Sequence, residues 1–198
     1  MPASCNPAPR RQLVKQTSFE CLAEVIRALH AQQIPYMLTE AFASNAYGYP
    51  RGTQDADIVI EYSEGVLRRL RETLGQDFQI DPQPGFELKT GTIRNLLIHL
   101  PTKFEVELFR LGTDPHDQQR FARRRRLYLP ELQAEVVIPT AEDVVLQKLR
   151  WQRDKDLADV RVVMAIQAHA LDWSYINRWA AEHGTVELLH QARTDVGV

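Results

Sequence analysis

The chain has 198 residues, 44% of them hydrophobic, with 24 lysines and arginines against 26 aspartates and glutamates, a formal net charge of −2. That supports one buried core with a small helical appendage and argues against a surface that grips nucleic acid everywhere. No run approaches the ~18–20 apolar residues of a membrane span, and MPASCNPAPRRQ lacks the apolar stretch of a secretory leader, so a cytoplasmic protein without membrane contact is expected.

Residues 1–16 carry three prolines among polar and small residues and read as a flexible tail. From Ser18, a plausible N-cap, SFECLAEVIRALHAQQ sets Cys21, Leu22, Val25, Ile26 and Leu29 at helical spacing. PYMLT reads as a short buried strand, EAFASNAY as a short helix ending at Gly48, YPRGTQ as a turn and DADIVIEY as a strand. Ser63 can cap the helix EGVLRRLRETLG, and DPQPGFELKTG then reads as a loop or the rim of a hairpin.

TIRNLLIHL and KFEVELFRL follow as strands joined by a tight turn at Pro101 and Thr102. TDPHDQQRFARRRRLYL reads as a helical turn or two and then a strand, and AEVVIP as a further strand. Beyond Pro139, TAEDVVLQKLRWQRDKDLADVRVVMAIQAHA has a capping pattern at Thr140 to Asp143 and no Gly or Pro. It predicts one long helix or two joined end to end, followed by two shorter helices. This order defines an α+β fold with a flexible tail (1–16), an α/β core (17–139) and a helical C-terminal part packed on it (140–198).

In an extended strand Asp55 and Asp57 point the same way, opposite to Ala56 and Ile58. Such a pair is common on exposed strand faces, but it also suits a divalent cation: Mg²⁺ takes one or two carboxylates at about 2.0–2.1 Å and completes its shell with water and phosphates. Glu105 and Glu107 share one face of KFEVELFRL, and Glu107, between Val106 and Leu108, is the deeper of the two by pattern. If LQKLRWQRDKDLADV is one helix, Lys148, Gln152, Lys155 and Asp159 form a stripe roughly 60° wide. That stripe is either a solvated face with Lys155–Asp159 pairing or a bank facing the carboxylates.

The segments GYPRGTQDAD (48–57), VELF with Glu107, and KLRWQRDKDLAD (148–159), in this order, resemble the nucleotidyltransferases of the DNA polymerase β superfamily. The resemblance spans roughly residues 34–165 and is closest to small bacterial members, including toxins of abortive-infection and toxin–antitoxin systems. It implies a nucleotidyltransferase-like mixed β-sheet core with flanking helices. It also implies Mg²⁺- or Mn²⁺-dependent transfer of a nucleoside monophosphate from an NTP such as ATP to a hydroxyl of tRNA, protein or a small molecule. A toxin-type member would have a cognate antitoxin as partner.

By the same resemblance, Asp55 and Asp57 bind the metal, and Glu107 completes the triad and activates the acceptor hydroxyl. Lys148 is a catalytic contact to the triphosphate, Arg51 and Thr53 lie at the approach to the phosphates, and Lys155, Asp156 and Asp159 orient Lys148. Thr39, Glu40 and Ala41 occupy the phosphate cradle, where the family has Gly-Gly or Gly-Ser. Glu40 is therefore a departure: a carboxylate at a helix N-terminus suits the helix but takes the place of a phosphate. An active enzyme in which Glu40 swings away and a catalytically impaired binding or regulatory module both follow from it.

Arg123 to Arg126 cannot share one face of a strand, so they read either as an RNA-acceptor contact or as a strand edge blunted by charge. Cys5 and Cys21 have no redox or metal spacing, and the six histidines have no zinc spacing. Trp151, Trp173 and Trp179 read as core residues.

Overall fold

The computed structural model describes residues 17–53, 55–88 and 91–198, so the tail and Cys5 lie outside the described residues. Helix α1 (Ser18–Ala31) is capped by Thr17 rather than Ser18: the Thr17 hydroxyl accepts from the Glu20 amide at 3.2 Å, and the Glu20 carboxylate accepts from the Thr17 amide at 2.6 Å. This reciprocal pairing satisfies two donors that a helix start otherwise leaves open. β1 (Tyr36–Leu38), α2 (Glu40–Tyr47) and β2 (Asp55–Ile60) follow as their patterns predict.

α3 (Val66–Leu74) starts later than expected, because Gly65 at φ +74° takes the left-handed conformation and replaces Ser63 as cap. Two short strands, β3 (Phe78–Ile80) and β4 (Gly85–Glu87), occupy the stretch around the predicted loop. Both pair antiparallel with β5 (Thr92–His99). β5 in turn pairs antiparallel with β6 (Phe104–Arg110), and β6 runs parallel to β2, giving the sheet order β1-β2-β6-β5-β3. α4 (Pro115–Arg123) leads to the hairpin of β7 (Arg125–Leu129) and β8 (Ala134–Ile138).

Period-two alternation divides the sheet into two unlike faces. Ala56, Ile58, Ile60, Leu97, Val106 and Leu108 are buried against α1 and α3 in the main core. On the other face Met37, Val59 and Phe109 form a smaller cluster with Phe121 of α4. Beyond them that face carries the half-buried Leu96 and Ile98, in register with Glu107 and Glu105, and the polar residues described below.

The C-terminal helices α5 (Ala141–Trp151), α6 (Asp154–Gln167), α7 (Trp173–Glu182) and α8 (Val186–Val196) enclose a second cluster that includes Val145, Leu149, Val163, Met164 and Ile176. Ala43 of α2 belongs to this cluster, and Tyr47 packs against both cores while donating to the Pro139 carbonyl at 2.8 Å. A side chain at Gly48 would put its Cβ 3.0 Å from Val162 Cγ1 and from the Ser44 carbonyl oxygen, a tight fit that glycine avoids where α2 meets α6.

Of the two alternatives for the segment after Pro139, two helices joined end to end is the one that forms, so the stripe expected of a single helix does not. Gln152 turns left-handed at φ +58° and ends α5, Arg153 is extended, and α6 starts at Asp154. The three tryptophans are half-buried.

Candidate active site

The parallel register sets Asp55 beside Glu105 and Asp57 beside Glu107, a two-by-two block of carboxylates on the open sheet face. Neighbouring strands lie about 4.8 Å apart, so these charges feel one another strongly. Burial pushes the Asp57 carboxyl up, and Glu40, Asp55 and Glu107 add to this against Lys155, which brings it to about 8. Among the described residues the Asp57 carboxylate accepts no hydrogen bond and forms no ion pair. Its main-chain carbonyl accepts from the Thr39 amide at 2.8 Å and from the Thr39 hydroxyl at 3.1 Å, which ties the start of α2 to β2.

Asp55 is exposed and accepts from the Thr53 hydroxyl at 2.9 Å. Glu107 pairs with Arg94 of β5, a residue that sequence reasoning missed. Arg94 lies across Gly85, where a Cβ would fall 3.0 Å from its Nε. Among the described residues no three His, Cys, Asp or Glu side chains are closed around a common point as metal ligands. The block nevertheless has the right chemistry for Mg²⁺ or Mn²⁺: hard oxygen donors, one of them held against uncompensated negative charge that a cation would relieve.

Beside this block stands an ion-pair network. Lys148, almost fully buried, lies 2.8 Å from Asp159, 3.3 Å from Asp156 and 3.9 Å from Glu40. Arg153 pairs with Glu40 at 3.0 Å and also with Asp156, and Arg51 pairs with Asp159 at 3.0 Å. Burial raises Asp156 and Asp159, but their bonds from Arg153, Arg51 and Lys148 outweigh it and hold both below the ordinary carboxylate range. For Glu40 the balance is reversed: burial outweighs Lys148 and Arg153, and its carboxyl is raised.

The break at Gln152 brings Arg153 to Glu40 and keeps Asp159 on Lys148. Arg153 lies within KLRWQRDKDLAD, but its role depends on a break that no glycine or proline announces. Lys155 is exposed, has no ion pair among the described residues, and acts on Asp57 from the rim.

Glu40 opens α2 at φ +49°, a sparsely populated conformation for a side chain with a Cβ, with Ala41 buried behind it. This is the backbone position where glycine would be unstrained. The carboxylate of Glu40 is the group that joins the acidic block to the cationic network.

The four arginines part company. Arg123 ends α4, lies 3.6 Å from both Glu142 and Asp143, and stacks on Tyr175, while Arg124 stacks on Phe121. Only Arg125 and Arg126 are exposed on β7, so the four form no common surface.

The fold is that of nucleotidyltransferase-like proteins. An antigenic nucleotidyltransferase-like protein from Paracoccidioides brasiliensis superposes with TM-score 0.57 at 17% identity, over 91% of this chain and 90% of that one. ANT(2″)-Ia in complex with adenylyl-2″-tobramycin superposes with TM-score 0.54 at 13% identity, over 86% and 98%. The solution structure of the antibiotic-resistance factor ANT(2″)-Ia gives 0.53 at 14%, over 86% and 97%. No family model matches the chain, and no curated protein matches it in sequence.

Proposed function

We propose that this protein transfers a nucleoside monophosphate from an NTP to a hydroxyl acceptor, using Mg²⁺ or Mn²⁺ held by Asp55, Asp57 and Glu107. The observation that carries this reading is the position of Glu40, coupled at once to Asp57 and to Lys148 and Arg153. A carboxylate block and a cationic bank meeting at one anion are what a polyphosphate joined to a metal site requires. The metal would neutralise phosphate charge and hold the α-phosphate in line for attack.

In the reaction, the acceptor oxygen bonds to the α-phosphorus, the bond from that phosphorus to the bridging oxygen of the β-phosphate breaks, and pyrophosphate leaves. Glu107, released from Arg94, takes the hydroxyl proton. Lys148, Arg153 and Lys155 stabilise the charge on the leaving pyrophosphate. Thr53 holds Asp55, Arg51 holds Asp159, and Asp156 and Asp159 orient Lys148.

The exposed Asp55 and Glu105 at the mouth favour a neutral or cationic small-molecule acceptor over polyanionic tRNA. ANT(2″)-Ia, solved with adenylyl-2″-tobramycin, supports a small-molecule acceptor by analogy of fold. The toxin role, its antitoxin partner and a cytoplasmic setting stand on the sequence alone.

Incubation with each labelled NTP and Mg²⁺, with separate pools of tRNA, protein and aminoglycoside-like compounds, tests the reading. Label should enter the small-molecule pool and be absent with Asp57→Ala. No transfer above that control in any pool would sink it.

The second reading, a catalytically impaired binding or regulatory module, is favoured by the internal neutralisation of Lys148 and Arg153 by Glu40, and of Glu107 by Arg94. NTP binding without transfer to any pool would select it. In either case Glu40→Gly is expected to tighten NTP binding about tenfold, because binding no longer requires displacing a tethered anion. Unchanged affinity by calorimetry would show that Glu40 does not obstruct the phosphates.

A further inference from the structure

We infer that the small cavity behind α2 is a second seat for the Glu40 carboxylate. Arg120 is the positioning residue that receives it there, leaving Lys148 and Arg153 for a polyphosphate. The inference rests on the nucleotide reading above.

The cavity has about 20 Å³ of space between an apolar wall that includes Val59 and Phe109 and a polar one formed by Glu40, Asp117, Arg120 and Gln147. That is room for about one water, so the movement of a side chain into it needs little rearrangement. A smaller recess of about 10 Å³ runs past Glu40, Arg120 and Gln147 to Lys148, so Glu40 borders both spaces.

The polar wall holds unmet groups. Arg120, Asp117 and Gln147 are 6%, 5% and 6% exposed. Among the described residues Arg120 donates no hydrogen bond. Its Nε lies 3.0 Å from Asp117 Oδ1 but out of line, so both atoms lack a hydrogen-bond partner, as does Gln147 Oε1. A guanidinium this buried and this poorly bonded is costly, and a second carboxylate would satisfy it. Turning the Gln147 amide would present an N–H to the same carboxylate.

Glu40 is the carboxylate best placed to move. It lies 3.9 Å from Lys148, against 3.3 Å for Asp156 and 2.8 Å for Asp159, so its departure leaves Lys148 paired. Arg153 likewise keeps Asp156. Glu40 already feels the charge of Arg120. The Thr39 amide and hydroxyl, donating to the Asp57 carbonyl at 2.8 and 3.1 Å, hold the start of α2 in place, so the movement is a rotation of the Glu40 side chain.

The test is tripolyphosphate binding, measured by calorimetry on the full chain, for the wild type, Arg120→Met, Glu40→Gly and the double variant. Arg120→Met should weaken binding roughly tenfold when Glu40 is present and less than about twofold in the Glu40→Gly background, since the competent state then needs no receiving seat. Arg120→Lys keeps a cation in the seat and should stay within about threefold of the wild type. If Arg120→Met fails to fold, as judged by thermal unfolding, Arg120→Gln carries the same comparison. Equal weakening in both backgrounds, or no weakening in the first, overturns the inference while leaving the nucleotide reading standing. Failure of both wild type and Glu40→Gly to bind tripolyphosphate overturns the two together.

Discussion

Asp57→Asn is expected to lower nucleotidyl transfer by about 10³-fold and, at the same time, to make the metal-free protein more stable at pH 8. The first effect follows from losing a charged oxygen donor at the centre of the carboxylate block. The second follows from what that charge costs the fold. Burial, with Glu40, Asp55 and Glu107 close by, raises the Asp57 carboxyl to about 8 from an ordinary value of 3.8.

A carboxyl whose folded value lies above its unfolded value favours the native state at low pH, and that advantage is lost as pH rises from about 4 to about 8. Each tenfold difference in proton affinity is worth about 1.4 kcal/mol, and relaxation of the exposed neighbours reduces the total. Asn should therefore stabilise by about 2–4 kcal/mol at pH 8, with the gain fading towards pH 4. Urea unfolding of both proteins across this range measures it. A difference that does not depend on pH, or an Asn variant that is weaker at pH 8, would contradict the account.

Lys148→Met should destabilise the protein by about 3 kcal/mol or more, the ordinary consequence of removing one partner from a buried ion pair. Its ammonium stands between Asp156, which is fully buried, and Asp159, and the substitution leaves three carboxylates facing two arginines. Arg153 and Arg51 keep Asp156 and Asp159 paired, which sets the expected loss at the lower end of the range for such changes.

The pH signature is opposite to that of Asp57. Asp156 and Asp159 are held low, so their contribution is present above an ordinary carboxyl value near 3.8 and is lost as pH falls below it. Lys148→Met should shrink that acid-side loss, and Asp159→Asn added to it should recover part of the stability. A urea midpoint within experimental error of the wild type would show that the arginines alone hold the network. Between them, these carboxylates contribute most to stability between the ordinary carboxyl value near 3.8 and neutrality.

Much of the site was legible because strands β2 and β6 each open with alternating acidic and apolar residues. Asp55 and Asp57 stand out against Ala56 and Ile58, and Glu105 and Glu107 against Val106 and Leu108, whichever strand lies between or beside them. Their pairing was not legible: a shift of one residue in the β2/β6 register would have moved Asp57 off Glu107. Arg94 was invisible for the same reason, since it reaches Glu107 only through the β5/β6 pairing and the open space over Gly85. β3 and β4 escaped notice because three-residue edge strands leave little pattern among Pro82, Pro84 and Gly85.

The break between α5 and α6 shows the limit most clearly. Glutamine and arginine have good helix propensity, so LQKLRWQRDKDLADV leaves one helix and two joined end to end equally open, with nothing local to place a break. Gln152 is left-handed because ending α5 there lets Arg153 bond both Glu40 and Asp156, a gain that exists only once α2 is packed alongside.

The sequence by itself determined the α+β class, the order of the elements apart from β3 and β4, the acidic strand faces and the oddity of Glu40, because all of these follow from local periodicity and residue chemistry. Only the tertiary structure decided which charges meet. Strand register and helix placement bring together residues more than a hundred positions apart, as with Glu40 and Arg153 or Arg51 and Asp159. Electrostatic energy depends on that separation in space rather than along the chain.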